Sequence, residues 1–397
     1  MSRLWDKGTK LDDRVLAFTA GEDHALDERL VRYDVLASIA HARMLAGRGL
    51  ITQDDFKTIE KGLREVGEAH LRGDWKITLE DEDGQTALEK HLTAKIGATG
   101  GRVHLGRSRN DQVLTALRLY LKDAAGQLAE GVEKVVAALD KLVDNQGSIA
   151  LPGYTHMQQG MPSSVRLWAG GYAHELRDDA AGLTATLRRI DRSPLGSAAG
   201  YGAPALKLDR EATAKEMGFG SVQKPVTSVQ LSRGKAESAL LFEIALTMQD
   251  LGRIASDLLL FYTQEFGFVK LPDAFTTGSS IMPQKRNPDV FELVRGRTAT
   301  AHACLTEALG IFAKLPSGYQ RDLQLLKFPL FRGIDLCAQT LDIMAAALAE
   351  VTFDEAAIKA KVNPAIHAAD QAYELALKEG IPFREAYRRV AEMIKAS

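Results

Sequence analysis

The sequence predicts an all-α fold built on unusually long helices, and three observations carry that reading. Apolar residues recur at helical spacing, i, i+3/i+4, i+7, through most of the chain. The periodic stretches run to roughly 30 residues, or about 45 Å, against a usual mean of about 11–12 residues. No convincing strand-like alternation and no dinucleotide-type glycine pattern interrupts them.

The elements follow in order. Residues 27–48 and 53–73 read as shorter helices of an N-terminal region, 1–104. The first rod covers 108–145, with a stripe of Leu117, Leu121, Leu128, Val132, Val135, Leu139 and Leu142, and with Ser108 or Asn110 available to cap its start. The second spans 163–191, between Pro162 and Pro194, and the third about 229–266. Pro288 suits a first helical turn and opens the fourth, to about Lys314. The fifth covers about 321–350, which closes a central region of 105–350. Residues 351–397 read as two or three short helices, broken at Pro364 and at "GIPF". The rods are apolar on more than one face, so one subunit cannot cover them, and an oligomer of packed bundles is expected. Segments rich in Gly, Pro and polar groups separate the rods at 97–111, 151–162, 267–288 and 315–328.

Composition narrows the function classes. The net charge of −2 over 397 residues offers no basic excess for a nucleic-acid partner. The opening "MSRLWDKGTK" lacks the apolar core of a secretory signal, so the cytoplasm is expected. Cys304 and Cys337 form no metal or disulfide spacing. The long apolar run 238–266 carries Glu243, Asp250, Arg253 and Asp257, too many charges for a membrane span.

Three stretches could carry chemistry. "HLGRSRNDQ" (104–112) sets Arg107, Ser108, Arg109, Asn110 and Asp111 at a helix start, where guanidinium groups and backbone N–H groups favour anions. The ordinary alternative is a capping box with two solvated arginines. "LPGYTHMQQGMP" (151–162) holds Thr155 and His156 in a proline-bounded loop, where an imidazole can exchange a proton near neutral pH. Alone it is as readily a hydrogen-bonded surface histidine. "GSSIMPQKRNPD" (278–289) joins Ser279 and Ser280 to Lys285, Arg286 and Asn287. A serine is a poor base in water, and only cations and N–H donors nearby would ionise it. Together the three stretches suit metal-free proton abstraction beside a carboxylate, with the developing dianion held by Lys285, Asn287 and helix N-termini.

At these residues the sequence resembles the fumarase/aspartase superfamily, and within it the argininosuccinate lyases. Gln284, "GRSRNDQV" and "SGYQRDLQLLK" (317–327) are typical of that branch, and the likeness extends over almost the whole chain. The resemblance implies cleavage of argininosuccinate to arginine and fumarate, the last step of arginine biosynthesis and a step of the urea cycle, by anti β-elimination without a cofactor or metal. It implies Ser279 as the base at the Cβ proton, His156 in a second acid–base or charge role, and Glu292 as its carboxylate partner. It implies substrate contacts at Ser108, Arg109, Asn110, Thr155, Lys285, Asn287, Tyr319, Gln324 and Lys327. It also implies three helical domains, a 20-helix core in a homotetramer, and active sites drawn from three chains. The guanidinium end of the substrate needs acceptors, which acidic residues of the N-terminal region can supply.

The sequence departs from the family pattern at Leu105, where threonine is usual, and at Gln85, where histidine is usual. "FTAGEDHALD" (18–27) aligns only with a short insertion, and the chain ends soon after "IPFREAYRRV", a short C-terminus for the family. A sister lyase acting on adenylosuccinate is the nearest alternative, and Gln284 and the Arg109–Asp111 block argue against it. A non-enzymatic, crystallin-like protein is a third reading, which retention of the serine and histidine disfavours.

Overall fold

A computed structural model describes residues 12–396. The expected all-α architecture is present. The rods appear as helices Arg109–Gln146, Val165–Ala185, Lys235–Tyr262, Asp289–Phe312 and Lys327–Glu350, of 38, 21, 28, 24 and 24 residues. Four are shorter than expected, the fourth only at its ends and the other three each for a local reason. The second rod ends at Ala185, because Thr186 turns its hydroxyl back onto the Leu183 carbonyl and a separate turn, Leu187–Ile190, follows. The third is divided by Gly234 at φ +81°, which separates the turn Ser228–Leu231 from the long helix. In the fifth, Arg321–Leu326 winds as a 3₁₀ helix before the α-helix begins at Lys327.

The chain divides into two compact units. One comprises the described residues through Leu128, with Gly182–Ala245 and Ala301–Leu336. Its N-terminal helices, Val31–Gly47, Gln53–Leu71 and Gly84–Ile96, enclose a core of Ile39, Leu45, Ile59, Leu63, Leu88 and Leu92. Thr52 and Asp55 close a reciprocal capping box on the second of these helices, at 3.0 and 3.1 Å. The third helix is capped by Asp83, whose carboxylate accepts the Thr86 N–H at 2.9 Å.

The other unit comprises Ala129–Ala181, Leu246–Thr300 and the chain from Cys337. Leu139, Leu176, Met248, Leu251, Ile254 and Leu258 are buried in it. Asp257, one of the charges that argued against a membrane span, accepts hydrogen bonds from Trp168 Nε1 and the Tyr172 hydroxyl, each at 2.8 Å. No helix among the described residues is long and apolar enough to cross a membrane.

The segment read as an irregular loop at 151–162 is instead an antiparallel hairpin, Ala150–Thr155 with Gln158–Ser164. Pro152 and Pro162 face each other across the ladder, so both missing N–H groups fall on one rung. The reversal consists of His156 and Met157 alone, at φ +52° and +61°. Positive φ at both central residues is the two-residue turn that matches strand twist, and it normally selects Asn-Gly. Here a histidine and a methionine occupy left-handed backbone, a conformation that costs of order 1–2 kcal/mol per residue and that concentrates at functional positions.

Candidate active site

The first unit contains a cleft of about 130 Å³ lined by Asp23, Asp83, Arg109, Asn110, Val113, Arg233, Tyr319, Arg321, Gln324 and Lys327. It therefore collects five of the expected substrate contacts: Arg109, Asn110, Tyr319, Gln324 and Lys327. Ser108 caps the helix that carries the first two. Its N–H donates to Asp111 Oδ1 at 2.8 Å and its Oγ accepts the Asn110 N–H at 3.3 Å. The flanking arginines are not the solvated pair of the ordinary alternative. Arg107 is buried and donates to Ser38 Oγ at 2.9 Å, while Arg109 pairs with Asp83 and reaches Glu82 at 3.4 Å.

Asp111 holds this end of the cleft together. Besides Ser108, its carboxylate accepts the N–H groups of Gly196 at 2.9 Å and Ala198 at 2.7 Å, tying the 194–202 loop to the helix start. Burial pushes its pKa up to about 6, against the three N–H donors and the Arg107 charge that favour the ionised form. In Asp111→Asn one end of the side chain becomes a donor facing N–H groups. A loss of about 1–3 kcal/mol is expected in urea unfolding, the cost of buried groups left unmatched.

The opposite side of the cleft is built by the 319–327 segment. Tyr319 lies under the Arg233 guanidinium, 5.4 Å from ring centroid to carbon. Gln324 donates to the Thr19 and Ala20 carbonyls at 3.0 and 3.3 Å, and Arg321 donates to Thr19 at 2.8 Å. Lys327 is 2% exposed, and its ammonium lies 2.6 Å from Asp27 and 3.0 Å from Asp23. Asp27 in turn accepts the Gly84 N–H at a helix N-terminus, at 3.1 Å. Burial works against the Lys327 charge, but Asp27 and Asp23 outweigh it and hold the ammonium above the ordinary lysine range. One cation cannot neutralise two acids. Asp23, the one that faces the cleft, is pushed up to about 7 by burial, against the attraction of Lys327.

The remaining expected residues lie in the second unit. Thr155 and His156 are exposed at the hairpin turn. Ser279, Lys285 and Asn287 occupy a closed loop. Its neck is the pair Thr277 and Asn287, which exchange backbone hydrogen bonds at 2.9 and 2.8 Å. Asn287 also donates its amide to the Gly278 carbonyl at 3.4 Å. Within the loop, Ser279 Oγ accepts the N–H groups of Ile281 and Met282 at 3.3 and 3.2 Å. Two donors on that oxygen favour its ionised form. Lys285 is exposed, and Glu292 is exposed in the first turn of the helix Asp289–Phe312.

Sequence reasoning named neither Asp23, Asp27 and Asp83 nor Arg233 and Arg321 as site residues. Acidic runs at "GEDHALD" and "DED", the second just before a helix start, are the signal that could have marked the first three.

The long-helix scaffold belongs to a lyase family, whose model, described as "Lyase", matches residues 10–302. Argininosuccinate lyase of Sorangium cellulosum is 44% identical over 99% of this chain and 91% of its own length. That of Thermotoga neapolitana is 43% identical over 98% of each chain. The chain belongs to the argininosuccinate lyase family. Among solved structures, EDDS lyase in complex with formate superposes with a TM-score of 0.84 at 24% identity, covering 98% of this chain and 77% of that one. Class II fumarase of Schistosoma mansoni gives 0.79 at 17% identity, over 95% and 91%. At those identities the likeness concerns the fold alone.

Proposed function

We propose that this protein cleaves argininosuccinate to arginine and fumarate. The observation that carries the proposal is identity of 44% over nearly the whole chain with a protein named for that activity. Family names of this kind favour it over adenylosuccinate cleavage or a purely structural role.

The reaction begins with removal of the Cβ proton of the succinate part by Ser279. The electron pair moves into the adjacent carboxylate, giving a dianion. Collapse of that species expels the guanidino nitrogen, which takes a proton and leaves as arginine. What supports Ser279 as the base is the pair of N–H donors on its oxygen, in a loop that also carries Lys285. Lys285 and Asn287 hold the dianion. His156 supplies the second acid–base or charge role with Glu292 as its carboxylate partner, and Thr155, Ser108, Arg109, Asn110, Tyr319, Gln324 and Lys327 bind substrate. No cofactor enters these steps.

The working form is a homotetramer in the cytoplasm, with three helical domains per chain (1–104, 105–350 and 351–397), a 20-helix core and sites drawn from three chains. Two features support assembly. His156 and Glu292 are exposed in one chain, and large apolar side chains stand out from the long helices, with Leu167 66%, Leu293 63% and Phe242 49% exposed.

Fumarate release from argininosuccinate, followed by ultraviolet absorbance, tests the activity, and turnover of adenylosuccinate instead would overturn it. Mixing inactive His156→Asn and Ser279→Ala proteins is expected to restore partial activity, because some mixed sites carry neither change. No recovery, with subunit exchange verified, would show that each site forms within one chain.

A further inference from the structure

Asp23 lies in the stretch where the family pattern needs an insertion, and none of the steps above uses it. It is 7% exposed, lines the cleft and shares the Lys327 ammonium with Asp27. The cleft wall thus places a carboxylate and an ammonium 3.0 Å apart, beside Gln324 and Tyr319. Adjacent opposite charges at that spacing complement an α-amino acid, whose ammonium and carboxylate are separated by one carbon. A succinate group offers Asp23 no positive charge. A guanidinium has no neighbouring negative charge to meet Lys327.

We infer that Asp23 determines specificity for the free α-amino-acid end of the substrate by accepting its ammonium in this cleft. The inference rests on the argininosuccinate reading and adds to it the residue that distinguishes an amino acid from a plain carboxylate. The charge inventory agrees. Asp23 faces Lys327 from the helix Lys327–Glu350, Asp27 from its own segment and Asp83 from the turn before Gly84. Arg233 and Arg321 line the same cleft, and Asp83 is itself engaged by Arg109, whereas Asp23 has only the Lys327 ammonium, which it shares with Asp27. An arriving ammonium gives Asp23 a partner of its own.

Calorimetric binding of arginine and of 5-guanidinopentanoic acid, which lacks the α-amino group, tests this on the whole protein. Wild type is expected to bind arginine more tightly by at least about tenfold, the factor a charge-assisted hydrogen bond carries. In Asp23→Asn, which keeps an acceptor for Lys327, that preference is expected to vanish through loss of arginine affinity alone. Equal binding of the two ligands by wild type would overturn the inference, as would full discrimination in the variant. The pH arm needs no substitution. Protonating Asp23 removes the attraction, so arginine affinity is expected to fall as pH drops through about 7 while that of the des-amino compound stays level; parallel profiles would overturn the inference. Fumarate release is read on the same samples. Its absence in wild type counts against the substrate reading, whereas intact release with unchanged discrimination in the variant counts against Asp23 alone.

Discussion

Ser279→Ala is expected to lower kcat by about three orders of magnitude, within the range that loss of a positioned acid–base group produces, while substrate affinity and fold stay close to wild type. The reason is local. Ser279 Oγ accepts two backbone N–H groups in a loop whose neck is held by the Thr277–Asn287 pair. Alanine removes the oxygen but none of the neck bonds, so the loop keeps its path. Single-turnover fumarate release separates chemistry from binding. A variant with near-normal kcat would move the base assignment to Ser280, the neighbouring hydroxyl.

Lys327→Met is expected to be the most damaging change to stability. Asp23 and Asp27 would remain buried without their shared cation, and breaking a buried pair in this way costs about 3–5 kcal/mol. The loss depends on pH, and its sign follows from linkage. Without the ammonium both acids hold protons more tightly folded than unfolded, so the variant is most stable in acid and loses stability as pH rises through the raised values. Wild type shows a smaller effect of the same sign from Asp23. That contribution is full below the unfolded carboxylate value of about 4 and gone above about 7. Urea unfolding of both proteins across this range checks the prediction, and a flat difference between them would refute it.

The fold was legible where chemistry is local. The stripe from Leu117 to Leu142 predicted the helix Arg109–Gln146 to within a residue at each end, and Ser108 with Asp111 three residues on is a cap that can be read directly. The hairpin was missed because Pro152, Gly153, Gly160 and Pro162 all argue against strands taken singly. Only their pairing makes them compatible. Breaks inside the rods at Thr186 and Gly234 depend on a side-chain back-bond and a left-handed residue, neither of which disturbs hydrophobic periodicity. In the cleft, residues grouped in one motif were found, such as Arg109 with Asn110 and Tyr319 with Gln324. The acids facing Lys327 were not, since Asp27 and Lys327 are 300 positions apart and only the folded chain brings them together.

The two-residue reversal at His156 and Met157 has a consequence for any attempt to redesign this enzyme. A turn with no spare residue sets the backbone under the imidazole, so the direction in which the side chain leaves the chain is inherited from the ladder beneath it. Lengthening the tip by even one position would shift one strand against the other and re-aim the ring.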